Sequence, residues 1–160
     1  MKTFKIVPLS EEYARQIRSS RRDAFNHEIV EQVATGPGPC RVSLQPFQRG
    51  KDIRILFSHS PFDIDNAYNQ SGPVFIQKEE VEAYKDVFVF PPAIKANKES
   101  FPITLIGYNS SQMMVLTELV GERDIDELIT EIFLNYSDVD FLHARNSKAA
   151  CFICKIERAN

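Results

Sequence analysis

A chain of 160 residues, 43% hydrophobic and 26% charged, can bury a core without disulfides or a structural metal, and it carries no disorder bias. Its formal charge of −3 argues against nucleic acid or an anionic membrane as the main partner. The opening MKTFKIVPLSEE lacks a leader's apolar stretch, no run approaches the roughly 18 apolar residues of a membrane span, and the three cysteines cannot all pair. These features predict a soluble, cytoplasmic protein with one domain over residues 1–160.

Thr3 to Val7 predicts a first strand, stopped by Pro8. Ser10 is placed to N-cap a helix, with Glu11 and Glu12 in the first turn, where the dipole favours acids. Leu9, Tyr13, Ala14 and Ile17 form its apolar side. Arg15, Arg18 and Arg22 share another face near the basic end, which suits a phosphate contact or simply a solvated helix C-terminus.

His27 to Ala34 reads as extended. The Thr35-Gly36-Pro37-Gly38-Pro39-Cys40-Arg41 run that follows can continue neither helix nor strand, so it is a shaped turn. A dinucleotide loop does not fit, because a strand pattern rather than a helix comes next. Cys40, Val42 and Leu44 alternate with Arg41, Ser43 and Gln45, which predicts a half-buried strand with Arg41 outward. Ile53 to Phe57 is its expected partner in a hairpin over residues 40–57. The polar stretch at 58–72 fails as an EF-hand, since Tyr68 and Val74 stand where Gly and Glu are required. Strands are expected at Val74 to Gln77 and Val87 to Phe90, with residues 93–100 irregular or briefly helical.

Ile103 to Tyr108 and Met113 to Val120 flank a turn at Asn109 to Gln112. Asp124 precedes a helix whose apolar positions Ile125, Leu128, Ile129, Ile132 and Phe133 fall on one face. A last hairpin spans residues 138–158. The sum is an α+β fold, a single mainly antiparallel sheet with two helices packed on one face.

With Asn146 to Ala150 as its loop, that hairpin sets Arg145 against Cys151, His143 against Ile153, Phe141 against Lys155 and Val139 against Glu157. Leu142, Ala144, Phe152, Cys154 and Ile156 then face the core, while His143, Arg145, Cys151 and Lys155 share the wetter face with Asn146 at its rim. A metal site is not expected. Cys151 and Cys154 are three apart in a strand, so they point to opposite faces about 10 Å apart. Cys151 beside His143 and Arg145 suits an activated nucleophile, although strand cysteines more often serve packing. Arg145 with His143 and Asn146 suits a carboxylate or phosphate, against the plainer reading of a polar strand end.

The TGPGPCR run at 35–41, Gly72-Pro73-Val74-Phe75-Ile76, and His143-Ala144-Arg145-Asn146 followed by Cys151-Phe152 resemble a family of small bacterial proteins catalogued as domain of unknown function 1203. The resemblance spans nearly the whole chain and implies a bacterial, single-domain protein, with no activity attached. The family pattern has a His after the strand ending here at Ile76 and a Cys four residues later. This chain has Gln77 and Val81 there, which weakens a metal or thiol mechanism.

The leading expectation is a domain that binds a small anionic ligand through Arg41, His143, Arg145 and Asn146, without cofactor or metal. Two alternatives stand beside it: a small enzyme using Cys151 or His143, and an interaction module using the sheet face and the basic helix end.

Overall fold

The computed structural model describes residues 2–160. Eight strands and three helices follow in the order β1 (Phe4–Val7), α1 (Glu11–Ser20), β2 (Val30–Val33), β3 (Ile53–His59), β4 (Gly72–Gln77), α2 (Pro92–Lys95), β5 (Ile103–Tyr108), β6 (Met114–Leu119), α3 (Ile125–Asn135), β7 (Phe141–Asn146) and β8 (Phe152–Arg158). Among the described residues, no helix is long and apolar enough to cross a membrane.

The α+β class holds, but the single sheet does not. Five strands pair in the order β1-β8-β7-β5-β6, and β2-β3-β4 form a second sheet, both antiparallel. Nor do the helices share one face. Ile125, Leu128, Ile129, Ile132 and Phe133 of α3 pack with Leu105, Leu142, Ala144, Cys154 and Ile156 of the large sheet. Ala14 and Ile17 of α1 pack with Ile55, Phe57, Val74 and Ile76 of the small one.

Both long helices begin as their sequences dictate. The Ser10 hydroxyl accepts from Tyr13 N–H and the Asp124 carboxylate from Glu127 N–H, each satisfying a donor that the first turn leaves unpaired. The last carbonyls of α3 are met from outside. The Arg158 guanidinium donates to Phe133, Tyr136 and Val139 carbonyls, tying the chain end to the helix end.

The expected hairpin over residues 40–57 is absent. Cys40 N–H donates to Gln45 O and Leu44 N–H to Cys40 O, with Leu44 at φ +53°, so the segment closes on itself as a turn. Its amides are thereby unavailable to β3, which pairs with β2 and β4 instead. Cys40, Val42 and Leu44 are buried, but so is Arg41, which is not outward as the alternation suggested. The glycine before this turn is required. Gly38 sits at φ +88°, and a Cβ there would lie 2.3 Å from Cδ2 of Phe47. Val87 to Phe90 also forms a turn rather than a strand, leading into the single turn of α2.

Candidate functional site

Strand β7 has two faces with different neighbours. Leu142 and Ala144 enter the α3 core, while Phe141, His143 and Arg145 project toward the other side with Ile106 and Tyr108 of β5. The observed register sets His143 against Lys155, Phe141 against Glu157 and Ala144 against Cys154, two residues away from the expected pairing. One step comes from the turn, where Asn146 N–H bonds Cys151 O. The other comes from a bulge between Ala144 and Arg145, beyond which Arg145 pairs with Phe152. Two single steps restore the original parity, so His143 and Lys155 stay on one face. Phe152 lies on the turn side of the bulge, and its ring joins His143 rather than the core face anticipated for it.

That face is not wet. Residues 60–71 fold over it, held by the Gln112 side chain, whose Oε1 accepts from Asp63 and Ile64 N–H. Phe62, Tyr108, Phe141 and Phe152 surround the His143 ring with centroids 4.8, 4.9, 5.3 and 5.0 Å away, leaving the residue 0% exposed. Neither of its ring nitrogens has a hydrogen-bond partner. Burial pushes the imidazole pKa down to about 3, helped by the nearby charges of Arg145 and Lys155, so the ring is neutral at physiological pH.

A second imidazole adjoins this box. His59, at the end of β3, lies 5.7 Å from the Phe152 ring, and its Nδ1 is 3.0 Å from the Tyr13 hydroxyl on α1. Burial, then the charge of Arg41, takes its pKa down to about 4. With His59 neutral, a phenol donating to Nδ1 leaves the proton on Nε2.

Arg41 and Arg145 each bond a carbonyl next to Cys151 in sequence. Arg41, only 1% exposed, donates from Nε to Phe152 O at 2.6 Å and from Nη1 to Pro39 O. Arg145 donates from Nη1 to Ala150 O at 3.1 Å. The two guanidiniums thus grip the carbonyls immediately before and after Cys151. The acceptors with full hydrogen-bond geometry are carbonyls, with the Cys151 thiol beside Arg41 and the Tyr108 hydroxyl beside Arg145. Burial pulls the Arg41 pKa down and the neighbouring Cys151 opposes that effect, yet guanidinium remains a cation at any ordinary pH.

The unused edge of Arg145 is the informative one. Its Nε and Nη2 are both buried and unpartnered. In Arg18 and Arg54 that same edge grips a single oxygen, Gln77 O and Gln32 Oε1 respectively. Beside Arg145, an open cleft of about 440 Å³ runs between the sheets, lined by residues 69–73 together with Arg145, Ala149, Ala150 and Cys151. Gly72 of this lining pairs with His59 across β3–β4.

Asn146 plays a different part. Its Oδ1 accepts from Lys148 and Ala149 N–H, and its Nδ2 donates to Ser100 O, so the side chain builds the turn that holds Arg145. The basic end of α1 is engaged as well, with Arg18 bonded to Gln77 and Glu79 carbonyls and Arg22 to Asn26 O. Gln77, one of the two departures from the family pattern, sits at the far end of β4 from Gly72, and Val81 packs beside the α1 core. Among the described residues, no three His, Cys, Asp or Glu side chains are grouped to hold a metal ion.

His59, Tyr13, Phe62 and Tyr108 lie outside the site drawn from the sequence. Their convergence depends on the second sheet and on the course of residues 60–71, neither of which has a local sequence pattern. The one available hint was a histidine ending a strand just before a long polar loop.

A model of the family described as protein of unknown function (DUF1203) matches residues 37–158. No curated protein and no solved structure matches the chain. The match covers most of the sequence, and the chain belongs to that family.

Proposed function

We propose that this DUF1203 member binds a small oxyanion, a carboxylate or phosphate, in the cleft beside Arg145. One observation carries the reading. Among the described residues, the buried side-chain nitrogens without a partner belong to His143 and Arg145, two residues apart on one face of β7. Arg145 is half-buried and no carboxylate pairs with it among the described residues, so an entering anion supplies a counter-charge. The Arg145 fork suits a two-oxygen ligand, while Arg41 and the neutral His143 lie buried behind the cleft wall and do not touch it. Asn146 acts by fixing the turn rather than by touching the ligand. A reducing, cytoplasmic setting accompanies the reading, since Cys40, Cys151 and Cys154 are all free.

An enzyme using His143 is disfavoured by the four rings that seal it, and an interaction module by the residues that already cover the sheet face and occupy the basic helix end. The test is thermal unfolding with phosphate, sulfate or acetate. A ligand at about 100 times its Kd adds about 2.7 kcal/mol, which for a chain of this size raises Tm by roughly 5–10 °C. The wild type shows such a shift with at least one anion and Arg145→Ala loses it. Equal shifts in both proteins remove the proposal.

A further inference from the structure

We infer that residues 60–71 form an acid-released lid over His143: when the imidazole takes up a proton, this loop lifts from the large sheet while both sheets stay folded. The loop does so whether or not the neighbouring cleft takes an anion.

The loop is placed to move as a unit. His59 and Gly72 pair across β3 and β4, so it leaves and returns at one point, and it contributes no strand. Among the described residues, its hydrogen bonds to the rest of the chain all reach the turn at Asn109 to Gln112. Gln112 Oε1 accepts from Asp63 and Ile64 N–H, and Asn66 Nδ2 donates to the Ser111 and Gln112 carbonyls. Phe62 is the ring that the loop lays against His143.

Beneath this cover only a neutral imidazole is tolerated. His143 is fully buried, and neither ring nitrogen has an acceptor within reach. An imidazolium carries two N–H donors and a charge, all of which would go unmet there. The cations around the ring add to the cost. Arg145 lies two residues along β7, Lys155 is the cross-strand neighbour on β8, and His59 approaches from the small sheet. The acids do not offset them: Glu157 is bonded to Lys155, and Asp63 and Asp65 of the loop are exposed. Tyr108 of β5 and Tyr68 of the loop present phenols rather than carboxylates.

Lifting the loop lets water reach both ring nitrogens. The covered imidazole titrates at about 3, against roughly 6.5 for a hydrated one, so each pH unit lost between those values favours the open form about tenfold. His59 keeps its contact with Tyr13, which the loop does not supply, so the sensor is His143. Asn69, Gln70 and Ser71 line the cleft beside Arg145 as well, and an open lid therefore removes one of its walls.

Amide hydrogen exchange of the whole protein, followed by NMR and corrected for the intrinsic effect of pH, reads the opening directly. The opening constants at Asp63 and Ile64 rise about 30-fold from pH 7.5 to pH 5 and stay well above those of Ile129 and Ile132 in α3, which open only with the whole fold. His143→Phe abolishes the rise. Gln112→Ala, which removes an anchor, raises opening at every pH and leaves the slope unchanged. His59→Gln also keeps the slope, which assigns the sensor even where His143→Phe does not fold. Loop amides that exchange only together with those of α3 overturn the inference. So does a rise that survives in His143→Phe or disappears in His59→Gln.

Discussion

His59 and His143 tie the candidate site to the stability of the fold. In the unfolded chain both titrate near 6.5, whereas burial and the adjacent guanidiniums take them to about 4 and about 3 in the folded protein. The unfolded state therefore binds more protons below pH 6.5, and stability falls as pH drops through that window toward 4. Each histidine contributes up to about 1.4 kcal/mol per pH unit, or about 2 kcal/mol by pH 5. Asp23 and Glu31 have pKa values held below the usual carboxylate range, so they lose their contribution only at lower pH. Urea midpoints at pH 7 and pH 5 measure the effect. Wild type loses several kcal/mol between them, and His143→Phe loses about 2 kcal/mol less. An identical loss in the variant contradicts a neutral, buried His143. The sequence singled out His143 and Arg145 because the C-terminal hairpin puts alternate residues on one face, and that parity survived. It did not reveal that the face was dry, since the covering rings come from Phe62 and Tyr108, distant along the chain.

At the level of elements, α3 was the most legible. Its apolar residues recur at the helical spacing, Asp124 caps it, and all five predicted core positions are buried. Spacing and burial together predict sharply different costs within this one helix. Ile129→Ala removes a side chain that is 0% exposed and costs roughly 2–5 kcal/mol, whereas Leu134→Ala, at a position 71% exposed, costs less than about 0.5 kcal/mol. Chemical denaturation of the two variants checks this, and similar losses for both would contradict the packing described. Residues 40–45 show where patterning misleads. Alternating apolar side chains suit a strand, but here the backbone hydrogen bonds close locally and Arg41 turns inward to reach the Phe152 carbonyl, 111 residues away. A pairing of that range leaves no trace in a short window of sequence.

On the scale of the whole molecule, two sheets each carry their own helix, and the candidate site lies where the small sheet and residues 60–71 meet the back of the large one. The sequence supports the α+β class and most strands, because alternation and turn chemistry are local. The division into two sheets depends on which strands pair, which local patterns do not encode. The division matters for function. Two sheets put Arg145 in the wall of a cleft that Gly72 and Pro73 of the small sheet also line. The central claim is that the vacant edge of Arg145 takes up an oxyanion. The most direct measurement is the NMR signal of the Arg145 Nε–H group during titration with phosphate and with acetate, assigned by its disappearance in Arg145→Lys. A saturable downfield movement with at least one anion is the predicted result. A signal that stays in place while both anions reach high millimolar concentration contradicts the account.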